Sequence, residues 1–222
     1  MPDIIELVLK ARDPERVISE IQAAVEKEKR ARAAFIEGLT PDVKAEWIDG
    51  EVVVHSPATE GHLLATGCLF QLINAFVVRH RLGKVRIEKA LTRVGRHDFE
   101  PDVNFWTARR CEGWKKDKKI YPPPDFVVEV LSESTEGRDR GVKFEAYREG
   151  AVGEYWLVDP RSETVEQYRS IFGEGDYIFE HVNTYCVGDT VACIVLQGLG
   201  IPVAAIFDEQ RCFAAQRSIM NE

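Results

Sequence analysis

Apolar and polar positions recur with two different periods along this chain, and the changes of period mark its elements. The densest apolar run is Phe126-Val127-Val128-Glu129-Val130-Leu131. A run this short and rich in valine, bounded by Pro124 and Ser132, predicts a strand buried on both faces. Side chains alternate along a strand, so Asp125, Val127, Glu129 and Leu131 share one face. Residues 44 to 55 predict a hairpin, with Asp49-Gly50 turning AEWI into EVVV. Thr59 to His80 predicts a long helix capped by Thr59, with Leu63, Leu69, Leu72, Ile73 and Phe76 on a broad apolar face and Gly83 at its C-terminal end. Asp13-Pro14 opens an amphipathic helix that carries Val17, Ile18, Ile21 and Val25 toward Phe35, with Gly38 and Pro41 punctuating its end. Further strands are expected over 84–93, over 100–106 with Asp102 near the start, and over 154–158. A helix is expected over about 138–149. A meander with a Gly173-Glu174-Gly175 turn completes the compact part near Phe207. The order hairpin, helix, strands, helix, strands predicts an α/β fold, one mixed β-sheet flanked by helices with extra hairpins.

Composition narrows the class. The chain has 222 residues, 45% of them hydrophobic, enough for one domain with an appendage. Its net charge of -8 argues against broad, nonspecific affinity for nucleic acid. One local basic stretch stands against that background: Lys115, Lys116, Lys118 and Lys119, with Trp114 and Tyr121 beside them. Basic residues interleaved with aromatics fit a nucleic-acid backbone, and they equally fit a solvated loop. The five cysteines form no C-x-x-C pair, so neither a zinc knuckle nor a redox motif is indicated, and reduced thiols are expected. Met1-Pro2-Asp3 lacks a basic leader, and no uninterrupted apolar run approaches about 18 residues. The expectation is a cytoplasmic protein without a membrane segment.

The chemistry starts from Glu129. A carboxylate in a dry strand is costly unless a cation or a donor meets it. Asp102, Glu129 and Lys143 fall on adjacent elements, and two carboxylates with an ammonium are the minimum set for metal-assisted phosphodiester hydrolysis. Each has a plainer reading. Asp102 can cap the turn after Pro101, and Lys143 can pair with Asp139 four residues earlier on one helix. Glu46 offers a third carboxylate or an exposed hairpin residue. His62, in the first turn of the long helix, faces either the site or, more commonly for histidine, solvent. Asp125 lies about 13 Å from Glu129 along the strand, which puts it at the rim or on loop donors.

Several blocks occur together in order: EPDV at 100–103, DFVVEVLSEST at 125–135, RDRGVKFEAYREGAVGEYWLVDP at 138–160, and the hairpin EWIDGEVVVHSP. Over roughly residues 30 to 207 the chain resembles the Uma-two family, restriction-endonuclease-like proteins of the PD-(D/E)XK nuclease superfamily. The resemblance implies a restriction-endonuclease-like domain over 31–207, an N-terminal helical appendage over 1–30 and a C-terminal tail over 208–222. It implies Asp102 and Glu129 as ligands of Mg²⁺, with Mn²⁺ as a substitute and the main-chain carbonyl of Val130 as a further ligand. The superfamily lysine normally follows the second acid by two residues; Leu131 stands there, and the displaced lysine of the family corresponds to Lys143. The implied function is a metal-dependent endonuclease hydrolysing nucleic acid, DNA first. The alternative is a catalytically weak or inactive DNA-binding or assembly protein of the same fold. A third reading makes Glu129 and Lys143 a structural ion pair that contacts only itself. The N-terminal amphipathic helix offers a homodimer contact.

Overall fold

The computed structural model describes residues 3–40, 42–173 and 175–221. Met1, Pro2, Pro41, Glu174 and Glu222 lie outside the described residues, and with them the expected helix stop at Pro41 and the centre of the expected turn at Glu174. The chain begins with α1 (Ile4–Leu9) and α2 (Pro14–Gly38), followed by the hairpin β1 (Ala45–Ile48) and β2 (Glu51–Val54). Next come α3 (Glu60–His80), β3 (Gly83–Ile87), β4 (Leu91–Val94), β5 (His97–Phe99), β6 (Val103–Thr107) and β7 (Ile120–Tyr121). The second half contains β8 (Phe126–Val130), α4 (Glu136–Asp139), α5 (Val142–Glu149), β9 (Glu154–Asp159), β10 (Thr164–Gly173) and β11 (Asp176–Tyr185). It ends with β12 (Thr190–Ala192), β13 (Gly200–Pro202), a short 3-10 turn and α6 (Glu209–Asn221).

The main sheet runs β11-β10-β9-β8-β6-β3, parallel between β8 and β9 and antiparallel elsewhere. A second sheet, β2-β1-β5-β4-β7, stands beside it. β8 is interior, in register with β9 at Val130↔Val158 and with β6 at Val103↔Val128. Its alternate residues enter different cores. Phe126, Val128 and Val130 pack with Leu69, Leu72, Ile73 and Phe76 of α3. Val127 and Leu131 pack with Ala146 and Tyr147 of α5 and with Ile48 and Phe99 of the second sheet. That double burial is why β8 reads as an unbroken apolar run, and each such side chain contributes about 1.5–3 kcal/mol.

The Asp49-Gly50 turn has both residues at positive φ, 50° and 86°, as a two-residue hairpin requires. Thr59 caps α3 by accepting from the His62 N–H. Several boundaries differ from the sequence reading. The single helix over 138–149 is two pieces broken at Gly141, where a Cβ would meet the Gly137 carbonyl at 2.8 Å. The single strand over 84–93 is broken because Glu88 and Lys89 adopt φ of 37° and 40°. Arg81, not Gly83, takes the left-handed position that ends α3, at φ 57°. Gly83 is needed for another reason: a Cβ there would lie 1.9 Å from the Trp106 carbonyl, across the β3–β6 ladder.

Helices lie at both expected segment boundaries. α2 passes unbroken through residues 30 and 31, and Arg32 near its end reaches back to the buried Asp98 and to the His97 carbonyl at 2.8 Å. Residues 209–221 form a helix packed on α3, with Cys212 and Ile219 buried, so the compact part extends past Phe207. α3 is itself long and apolar enough, by length and composition, to cross a membrane, although it contains no unbroken apolar run of that length. Half of its most apolar window is buried inside the fold.

Candidate functional site

The site forms where β6 begins, β8 ends and α5 folds back over the sheet. β6 pairs with β8 only as far as Val103↔Val128, so the Val130 N–H has no ladder partner there. Asp102 supplies the missing acceptor: its Oδ2 receives the Val130 N–H at 2.8 Å. Its Oδ1 accepts from Lys44 Nζ at 3.1 Å and lies 3.4 Å from His62 Nε2. In an extended strand the N–H and C=O of one residue project toward the same edge, which puts the Val130 carbonyl on the Asp102 side of β8.

Glu129 projects from the opposite face of β8 to Val130, toward α5. Lys143 Nζ lies 3.0 Å from Glu129 Oε1, 3.2 Å from Glu46 Oε1 and 3.2 Å from Asp139 Oδ1. Tyr147, one turn along α5, donates its hydroxyl to the same Glu129 oxygen at 2.8 Å. Among the described residues Glu129 Oε2 accepts no hydrogen bond. Glu46 is fixed by the Glu100 N–H at 2.7 Å and by His55 Nε2 at 2.8 Å. Lys143 Nζ also sits 5.8 Å from the centre of the Phe99 ring, within cation–π range.

Charge shapes the protonation of this cluster. Burial pushes Glu129 up to about 8; Lys143 opposes this, and Asp139, Asp102 and Glu46 reinforce it. Glu46 is equally buried, but Lys143, His55 and the Glu100 N–H outweigh that burial and hold it at about 2. Asp102 also resists burial and stays well below the usual carboxylate range through His62, Lys44 and Lys143. Burial would lower Lys143, yet Glu129, Glu46, Asp139 and Asp102 together raise it well above an ordinary lysine. Three buried carboxylates contact one buried ammonium, so the acids outnumber the cation there. That surplus and the open Glu129 oxygen fit a hard divalent cation, which takes oxygen ligands.

The structure gathers Asp102, Glu129, Lys143 and Glu46 and leaves other candidates aside. Glu46 is fully buried, not an exposed hairpin residue, because β1 is enclosed between β2 and β5. His62 is 9% exposed and turned to Asp102, not to solvent. Asp125 is at the far end of β8, held by Arg110 at 2.8 Å and by the Thr107 N–H at 2.8 Å, and does not reach Glu129. Lys115, Lys116 and Lys119 are exposed, whereas Lys118 lies over Trp114 and Tyr121 at 5.3 and 5.7 Å. Those two rings pack on Trp106 in a small core of their own, so they are not free stacking platforms. A structural pair of Glu129 and Lys143 touching only each other is overturned by the contacts of Lys143 with Glu46 and Asp139 and of Glu129 with Tyr147.

Tyr147, Lys44 and Glu88 were missed by reasoning from sequence. Tyr147 carried a signal, since it follows Lys143 by four and shares its helix face. Lys44 and Glu88 carried none, because tertiary packing alone brings them to Asp102.

A model of the family described as "Putative restriction endonuclease" matches residues 31–204. Among solved structures, the chain is similar to a putative nuclease from Anabaena variabilis, with 17% identity and a TM-score of 0.66 over 80% of this chain and 96% of that one. At that identity the likeness shows the fold. No curated protein matches the chain.

Proposed function

The chain belongs to this family, Uma2, and on that premise we propose that it is a metal-dependent endonuclease acting on nucleic acid, DNA first. One observation carries the reading: α5 delivers Lys143 Nζ to within 3.0 Å of Glu129 while Asp102 is anchored one residue away at the Val130 N–H. Asp102, Glu129 and the Val130 carbonyl would hold Mg²⁺, or Mn²⁺ in its place. A divalent ion bound there supplies Lewis-acid charge against the negative charge that develops on the phosphate oxygens. Lys143, fixed by three carboxylates, orients the attacking water and offsets the same charge. Tyr147 and Glu46 hold Glu129 and Lys143 in place. Exposed Lys115, Lys116 and Lys119 would contact the phosphate backbone. A homodimer through the N-terminal helices, whose Ile4, Ile5, Leu9, Ile18, Ile21 and Val25 are exposed, belongs to the same proposal.

The test is cleavage of plasmid and oligonucleotide substrates with Mg²⁺ or Mn²⁺. Wild type is expected to cut, and Asp102→Asn and Lys143→Met are expected not to. Wild type that cuts no more than these variants across many substrates sinks the reading. The full enclosure of Lys143 by acids favours one second reading, a nuclease-fold DNA binder without turnover. It predicts retained DNA binding with no Mn²⁺ uptake in calorimetry.

A further inference from the structure

A second group of ligands adjoins the Lys143 cluster on the other side of Asp102. His62 of α3, Glu88 in the bend after β3, and Asp102 each bring one ligand atom to within 4.8 Å of the others. His62 is nine-tenths buried, and among the described residues its Nδ1 makes no hydrogen bond. Its Nε2 is aimed at Asp102 Oδ1 at 3.4 Å, and its Nδ1 is wholly enclosed. The nitrogen that faces the carboxylates makes one long contact, and three ligand atoms of the kinds that bind metal converge on one point, which is the geometry of a cation site.

The position already attracts positive charge. Lys44 Nζ lies 3.1 Å from Asp102 Oδ1 and 4.0 Å from Glu88 Oε2. The Lys44 side chain is 19% exposed, and its flexible stem allows the ammonium to leave for solvent. The two acids are also tied through the backbone, since the Glu88 N–H donates to the Asp102 carbonyl at 3.2 Å.

We propose that His62, Glu88 and Asp102 form a second cation site, which takes a divalent transition ion ahead of Mg²⁺ and displaces the ammonium of Lys44 as it does so. An imidazole in the ligand set gives the preference, because Mg²⁺ favours all-oxygen coordination and transition ions accept nitrogen readily. The site deepens the nuclease reading by sharing Asp102 with it, but its occupancy does not depend on turnover.

Mn²⁺ is the probe. The full chain, freed of metal, is titrated with Mn²⁺ and followed by electron paramagnetic resonance, with spin-echo modulation reporting directly coordinated ¹⁴N. Wild type is expected to show the nitrogen modulation. His62→Ala is expected to lose both the modulation and one bound ion, and Glu88→Gln to weaken that ion. Lys44→Met is expected to tighten it, because no ammonium has to leave. Glu129→Gln is expected to keep the nitrogen signal, and Mg²⁺ to compete poorly for that ion. Bound Mn²⁺ without nitrogen modulation in wild type, or modulation that survives in His62→Ala, overturns the proposal. Thermal melting checks each variant for folding, and if His62→Ala fails to fold, an unchanged affinity in Lys44→Met overturns the proposal by itself. A nitrogen signal with no cleavage of any substrate removes the nuclease reading and leaves this site standing. Cleavage without a nitrogen signal does the reverse.

Discussion

Two glutamates are buried in neighbouring parallel strands, Glu129 in β8 and Glu154 in β9, at 2% and 0% exposure. Their surroundings are opposite. Glu154 Oε1 accepts from the Trp156 indole at 2.7 Å and from Gln167 Nε2 at 2.6 Å. Its Oε2 accepts from the Ile194 and Val195 amides at 2.9 and 2.8 Å and from the Cys193 thiol at 3.0 Å. All these donors are neutral and both oxygens are fully used, so Glu154 fastens the segment after β12 to the sheet. Glu129 has both its donors on one oxygen, none on the other, and three more carboxylates close by. Burial does not distinguish these two acids. The separation lies in whether the donors around the carboxylate are complete.

The largest expected effect tests the structural member. Glu154→Ala leaves two amides, an indole and a carboxamide without their acceptor and is expected to cost about 3–5 kcal/mol in urea unfolding. Glu129→Gln keeps an acceptor for Tyr147 and Lys143 where burial already favours the uncharged acid, so its stability is expected to stay within about 1 kcal/mol of wild type. Equal losses in the two variants would erase the contrast. Next in size is catalysis: Glu129→Gln is expected to lower the rate of plasmid cleavage by about 10²–10³-fold. A folded Glu154→Gln variant should cut at close to the wild-type rate.

Acidity supplies a smaller effect with a definite sign. Lys143, Asp139 and Tyr147 from the helices, Glu46 from β1 and Asp102 before β6 all face Glu129. Folded Glu129 titrates near 8 and unfolded near 4.5, so the folded state holds an extra proton between these values. Metal-free stability therefore falls as pH rises through that window. Glu46, held at about 2, contributes stability that is lost as pH drops below its ordinary value. Urea midpoints measured from pH 5 to 8 should decline in wild type and flatten in Glu129→Gln; parallel slopes would contradict this assignment. The smallest effect is Tyr147→Phe, which loses one hydrogen bond to Glu129 and is expected to cost about 0.5–1.5 kcal/mol by the same measurement.

What could be read from the sequence was whatever a local pattern encodes. The valine-rich run gave β8, Asp49-Gly50 gave the β1–β2 turn, and Thr59 with its apolar spacing gave α3. Cys212, Ala215 and Ile219 show the same helical spacing in α6, beyond the end expected near Phe207. The breaks at Glu88 and Lys89 were not legible, because left-handed backbone at non-glycine residues is imposed by tertiary contacts. The candidate site divides the same way. Asp102, Glu129 and Lys143 stood out as charges beside apolar runs. The Asp139–Lys143 spacing suggested a pair within one helix, yet the helix breaks at Gly141 and the two groups still meet at 3.2 Å, around a third acid.

Leu131 occupies the place where the superfamily usually has its lysine, and here it is 2% exposed and packed in the core with Tyr147. Sending the cation from α5 leaves the strand position free for hydrophobic packing. It also separates two events in folding. The sheet can align its acids through strand pairing alone, whereas their counter-charge arrives only when α5 docks. A nascent or partly unfolded chain would hold the carboxylates without the ammonium, and the charge cluster would be incomplete until α5 is seated.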